Sequence, residues 1–188
     1  LKNFLKKKIP CFGIEPTINT AKAAEKIGIK VIKKFFSTKL SKKLIKDKKQ
    51  ADLIIGNNVF AHVPDILDFT KGMSILLKKN GTITLEFPHL LELMKYSQFD
   101  TVYHEHFSYL SLIAVKGIFS KFDLKIYDVE KIKTHVGSLR VYACKKGGKN
   151  YISKNVKKTI KKEKKYGLNK ITKYNSFQIK IEKIKYKF

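Results

Sequence analysis

Short apolar runs alternate with amphipathic stretches over the first three quarters of the chain, the pattern made when strands and helices take turns in a parallel α/β sheet. A strand is expected over residues 11–14, a helix over 18–27 stopped by Gly28, and a short strand over 30–33. Residues 37–48 set Leu40, Leu44 and Ile45 inward among lysines, at helical spacing. The run 51–56 reads as a buried strand and 65–77 as a helix with Asp65 as its N-cap. Gly81 reads as the glycine that terminates this helix, ahead of a strand over 82–87.

After Pro88 the period changes. Residues 90–96 keep helical spacing, whereas 98–109 are polar, aromatic and without period, as in a loop inserted at a strand's carboxyl end. A helix over 111–122 and strands over 124–129 and 137–144 follow. Leu139, Val141 and Ala143 point inward, and the two strands lie close enough in sequence to pair antiparallel. Beyond Gly147 and Gly148 come lysine-rich helices over 151–166 and 171–188. Their apolar stripe of Ile152, Val156 and Ile160 is narrow, so they either cover the sheet or lead into a further domain. The expected division is therefore 1–149 for the α/β core and 150–188 for a helical segment leading toward a C-terminal domain.

Composition narrows the class. The 188 residues suffice for one domain with an appendage, and a hydrophobic share of 43% is that of a folded protein. A net charge of +26 would ordinarily suggest nucleic acid or an anionic membrane, because neutralising phosphates drives such binding. Arg140 is the only arginine, however, and lysine lacks the planar fork that reads bases and clamps phosphates. The lysines are also spread over almost every expected helix rather than gathered in one stripe. They read as solvated faces, and nucleic-acid binding is not expected as the main function. Cys11 and Cys144 are too few and too far apart for a disulfide framework or a zinc site, and buried free thiols are expected. No stretch has transmembrane length and the start has no signal-peptide core, so a cytoplasmic location without membrane attachment is expected. The chain opens on Leu1 rather than a methionine, and a true N-terminus further upstream is expected.

In an open α/β sheet, ligands sit outside the carboxyl ends of the strands. Glu15 follows the first strand, where a carboxylate can accept hydrogen bonds from two ribose hydroxyls, or can cap the next helix. Asn57, Asn58 and His62 follow the strand over 51–56 and suit a point where cofactor and substrate meet. The densest group is Tyr103, His104, Glu105, His106, Ser108 and Tyr109, on a loop, where catalytic residues concentrate. His104, Glu105 and His106 could ligate zinc only on a strand, where residues two apart share a face, and a metal site is not expected.

Gly-Ile-Glu-Pro at 13–16, Asn-Asn-Val-Phe-Ala-His-Val-Pro-Asp at 57–65, Glu-Phe-Pro-His at 86–89 and Phe-Asp-Thr-Val-Tyr-His-Glu-His-Phe-Ser-Tyr at 99–109 together resemble one family. It is that of the class I S-adenosylmethionine-dependent methyltransferases that C-methylate nucleotide-linked keto-deoxysugars. Thr-His-Val-Gly-Ser-Leu-Arg at 134–140 fits the same family, and the resemblance spans roughly residues 2–146. It implies a Rossmann-like sheet, S-adenosylmethionine as cofactor, Glu15 on its ribose, and Asn57 or Asn58 beside cofactor and substrate. It implies His106 as general base with Tyr103, Glu105 and His62 as companions, and His89 and Arg140 toward the sugar nucleotide. A base near neutral pKa and a hydrogen-bond donor aimed at the developing enolate oxygen are what proton removal beside a ketone requires.

The resemblance also implies segments not found in these residues: an upstream zinc module held by cysteines, a first strand with a glycine-rich loop, and a C-terminal domain. Val136 stands where relatives often have glycine. The expected fold is thus an α/β, Rossmann-like sheet lacking its first strand, which would lie between the strands at 11–14 and 51–56. Two other expectations compete: a fragment without activity of its own, and a lysine-rich nucleic-acid module on a methyltransferase-like sheet.

Overall fold

The structure, a computed structural model, describes residues 1–98, 101–133 and 137–186. Helix α1 (Lys2–Lys6) leads into β1 (Phe12–Ile14), α2 (Ile18–Lys26), β2 (Lys30–Ile32) and α3 (Thr38–Lys46). Then come β3 (Ala51–Asn57), a one-turn 3-10 helix (Phe60–His62), α4 (Ile66–Leu76), β4 (Leu77–Pro88) and α5 (Leu90–Tyr96). The chain finishes with α6 (Leu112–Ser120), β5 (Leu124–Ile132), β6 (Ser138–Lys145), α7 (Lys154–Tyr166) and α8 (Ile171–Lys185).

Four of the helices, α3, α4, α6 and α7, start where a short polar side chain takes up free backbone amides. Ser37 accepts from the Leu40 amide, Asp65 from those of Leu67 and Asp68, Ser111 from Ala114 and Ser153 from Val156. One expected ending fails. Helix α4 stops at Leu76, β4 begins at once at Leu77, and Gly81 lies inside that strand. A Cβ on Gly81 would stand 2.7 Å from Leu77 Cδ1 and 3.0 Å from the Asp52 carbonyl oxygen. Close approach of β3, rather than helix termination, is what requires glycine there.

Strand β1 pairs in parallel with β2, and a second sheet runs in the order β3-β4-β6-β5. Strand β3 is parallel to β4, whereas β6 is antiparallel to both β4 and β5. Among the described residues no ladder joins β1 to β3, so the strands form two separate sheets. Apolar packing still crosses the division. Leu40, Leu44 and Leu76, from α3 and α4, form a cluster against which Phe12, Ile14 and Ile32 pack from one side and Ala51 and Ile54 from the other. On the opposite face of β3, Leu53 and Ile55 are 41% and 44% exposed.

The main core lies beneath the four-stranded sheet, where alternate residues Ile83, Leu85 and Phe87 of β4 and Leu139, Val141 and Ala143 of β6 are fully buried. Phe60, Met73 and Phe119 join them from the 3-10 turn, α4 and α6. Helix α7 belongs to this core as well, since Val156 is buried in it and Ile160 packs against it. Helix α8 holds on more loosely, with Tyr174 and Phe177 packed against Leu91, Leu93 and Met94 of α5.

Candidate active site

Except for Arg140, which lies near the amino end of β6, every expected site residue that the structure describes lies at or just beyond a strand's carboxyl end, or in the loop after α5. Glu15 follows β1, with its backbone amide donating to the Ile32 carbonyl at 3.1 Å. Its Oε1 accepts from the Thr17 amide at 2.8 Å, so the carboxylate also organises the turn into α2. Asn57 ends β3 and Asn58 follows in a left-handed backbone conformation, φ 53°, which asparagine tolerates better than most residues. The Asn58 amide donates to the Glu86 carbonyl at 2.8 Å, and both asparagine side chains are exposed.

The turn after Asn58 carries the first histidine. Phe60 and Ala61 are buried, which leaves His62 at the rim. His62 Nδ1 lies 3.0 Å from the Glu105 carbonyl oxygen, and the Ser108 amide donates to the Ala61 carbonyl at 3.1 Å. These two contacts fasten the loop to the turn. Within the loop the Tyr103 hydroxyl and His106 Nε2 are 3.0 Å apart. The His106 ring stands 4.6 Å from that of His62, 4.2 Å from Tyr103 and 5.6 Å, edge to face, from Tyr109 (centroid distances). Tyr109 steadies the segment, because its hydroxyl accepts from the Tyr103 amide at 3.1 Å. Ala61, Pro88, His106 and Tyr109 line a small cleft.

The structure thus gathers His62, Tyr103, the Glu105 backbone and His106 in one cluster, and leaves the Glu105 and His104 side chains exposed. Arg140 stands elsewhere on the sheet, across the ladder from Glu86. Its Nη2 donates to Glu86 Oε2 at 2.9 Å, and Nη1 is 3.9 Å from Glu130. That hydrogen bond, outweighing desolvation, raises the Arg140 guanidinium above its ordinary value. His89 caps α5 and is 1% exposed, with Nε2 2.7 Å from Glu163 Oε1. The imidazole is therefore buried and bonded to α7 rather than presented to a ligand. His135 falls outside the described residues, as does Asp100.

Sequence reasoning passed over Glu86 and Glu163. Glu86 is a lone acid in an alternating strand, 5% exposed. Glu163 left a clearer trace: it falls on the apolar period of Val156 and Ile160 in a helix otherwise rich in lysine.

A Rossmann-like sheet of this kind, with an acidic residue after one strand, amides after another and an aromatic-histidine loop over their carboxyl ends, defines a class I S-adenosylmethionine-dependent methyltransferase. Residues 1–129 match the family described as methyltransferase domain, and residues 133–188 match the C-methyltransferase C-terminal domain. The chain belongs to the methyltransferase-domain family that residues 1–129 match. A curated relative, the C-methyltransferase NovU of Streptomyces niveus, is 32% identical over 173 residues, which cover 92% of this chain and 41% of that protein. The chain therefore spans about two fifths of this relative's length. Two solved structures share the fold. A methyltransferase of Archaeoglobus fulgidus superposes with a TM-score of 0.59 at 14% identity, covering 76% of this chain and 79% of its own. One of Thermotoga maritima, described as a possible histamine N-methyltransferase, gives 0.57 at 16% identity, covering 75% of each chain. No helix among the described residues is long and apolar enough to cross a membrane.

Proposed function

We propose that this protein transfers a methyl group from S-adenosylmethionine to the carbon beside the ketone of a nucleotide-linked deoxysugar, with residues 1–149 as the methyl-transfer core. The observation that carries the reading is the 3.0 Å approach of the Tyr103 hydroxyl to His106 Nε2, with the His62 ring beside it. A carbon next to a carbonyl becomes a nucleophile only when a base takes its proton while a donor stabilises charge on the oxygen. His106 is the proton acceptor in this reading. Tyr103 orients its ring, and Tyr103 or His62 donates toward the substrate oxygen. Glu105 is the third companion, its backbone carbonyl meeting His62 Nδ1 at 3.0 Å.

S-adenosylmethionine supplies the electrophilic methyl when bound. The residues present suit it: an acceptor carboxylate at Glu15 for the ribose hydroxyls, and the exposed amides of Asn57 and Asn58 at the neighbouring strand end. His89 and Arg140 belong to the substrate side, Arg140 through its half-exposed guanidinium and the buried His89 through the walls it supports.

The natural protein, given S-adenosylmethionine and a nucleotide-linked keto-deoxysugar in deuterated water, is expected to yield a product heavier by one methyl group. Without the methyl donor it should still exchange the hydrogen next to the ketone. Mass spectrometry reads both, and the absence of methylation together with exchange would overturn the assignment. Glu15→Ala is expected to weaken S-adenosylmethionine and S-adenosylhomocysteine alike by about 1–3 kcal/mol, the scale of lost charged hydrogen bonds. Calorimetric titration checks this. Equal affinity in mutant and wild type would reduce Glu15 to its bond with the Thr17 amide.

A further inference from the structure

Helix α7 carries a single acidic residue among its lysines, and that residue, Glu163, is 0% exposed. Burying a carboxylate is costly unless hydrogen bonds replace its water. Glu163 has three: Oε1 lies 2.7 Å from His89 Nε2 and accepts from the Leu112 amide at 2.6 Å, and Oε2 accepts from the Ile113 amide at 2.8 Å. Capping α6 accounts for the two amide bonds, since Ser111 takes only the Ala114 amide, but not for the bond to His89, which lies outside that helix.

The three partners have something else in common. His89 is where the chain leaves β4 for α5, and Leu112 and Ile113 are where it enters α6 after the loop. Those ends also touch one another, since the Leu90 amide donates to the Leu110 carbonyl at 3.0 Å and His89 forms a β-bridge with Leu110. Everything between them is α5 and the loop that carries Tyr103 and His106. Pro88, next to His89, lines the same cleft as His106. A single carboxylate on α7 thus grips both roots of the active-site insertion.

We infer that Glu163 is the positioning residue of this insertion, fixing its two roots so that Tyr103 and His106 meet His62. The inference rests on the reading of that loop as catalytic. Misplacing a catalytic group by about an ångström can cost a hundredfold in rate, so a fixed root matters to a base carried on a loop. Glutamine in place of Glu163 keeps the volume but offers one acceptor oxygen and an amide group that donates, so at least one of the three donors loses its partner.

The test compares Glu163→Gln with Val156→Ala, which removes core packing from the same helix without touching either root. Both are assayed in the natural protein at a temperature where each is folded by near-ultraviolet circular dichroism. Glu163→Gln is expected to lower kcat about tenfold or more with KM for S-adenosylmethionine little changed, and to speed amide hydrogen exchange across residues 101–113. Val156→Ala is expected to lower the unfolding midpoint while leaving kcat and exchange in that segment near wild type. If Glu163→Gln does not fold, His89→Leu takes its place: it frees the α5 root, keeps both amide bonds to Glu163, and should show the same pattern. Exchange across 101–113 that matches wild type, or a kcat that follows global stability alike in both helix variants, would overturn the inference. The exchange measurement needs no substrate, so it is decided separately from the identity of the methyl acceptor.

Discussion

Replacing His106 by alanine is expected to cut methyl transfer about a hundredfold or more while leaving the affinity for S-adenosylmethionine essentially unchanged. General-base catalysis contributes roughly 10²–10⁴ to a rate, and the whole of that contribution is made in the transition state. The imidazole touches Tyr103 and packs against Tyr109 and against His62 of the 3-10 turn, whereas Glu15 is held by the Thr17 amide and the Asn58 amide by the Glu86 carbonyl, so removing the imidazole is expected to leave those cofactor-side residues in place. Loss should therefore fall on kcat, and the acidic limb of the pH–rate profile, which reports protonation of the base, should vanish with it. Tyr103→Phe is a graded companion, since it keeps the ring stack and removes only the 3.0 Å contact. Single-turnover kinetics with calorimetric cofactor titration provide the check. Wild-type turnover in His106→Ala would remove it from the role of base.

How much of this was legible beforehand depended on the distance over which each residue's reason acts. The cap at Asp65 could be read because a carboxylate and the amides two and three residues on are chain neighbours. The antiparallel pairing of β5 and β6 could be read for a similar reason, as the two strands follow each other directly. Gly81 was misread because its reason is the Asp52 backbone, which belongs to the neighbouring strand.

The site divides along the same line. Residue types at the strand ends single out Glu15, Asn57 and Asn58 as candidates, and the density of the loop does the same for Tyr103 and His106. What stayed hidden were the partners that decide what each side chain is free to do. His89 looked like a ligand at a strand's carboxyl end, yet its partner is 74 residues further on, in α7. The resemblance places Arg140 toward the sugar nucleotide, yet Glu86, 54 residues earlier, holds it across the β4–β6 ladder. His62 meets the loop 43 residues later through a backbone carbonyl, a contact no side-chain pattern encodes.

Phe60→Ala is expected to destabilise the fold by about 3–5 kcal/mol, the usual cost of emptying a phenylalanine site in a close-packed core. The ring is fully buried, with centroids 6.0 Å from Phe69, 6.4 Å from Phe87 and 6.0 Å, edge to face, from Phe119. It therefore ties the 3-10 turn at once to α4, β4 and α6, and such aromatic contacts add to the energy of burial itself. Because His62 lies two residues further along that single turn, the anchor of the turn is also the anchor of the histidine. The variant should accordingly lose activity at temperatures where it remains folded, through the His62 contact with the Glu105 carbonyl. Phe35→Ala is the matched control: that ring is 78% exposed, and its removal should change stability by no more than about 0.5 kcal/mol. Urea unfolding of the two variants, read by tyrosine fluorescence and circular dichroism, separates them. A loss below about 1 kcal/mol for Phe60→Ala would mean that the turn is held by its hydrogen bonds to the loop, and that the loop, rather than the core, sets the position of His62.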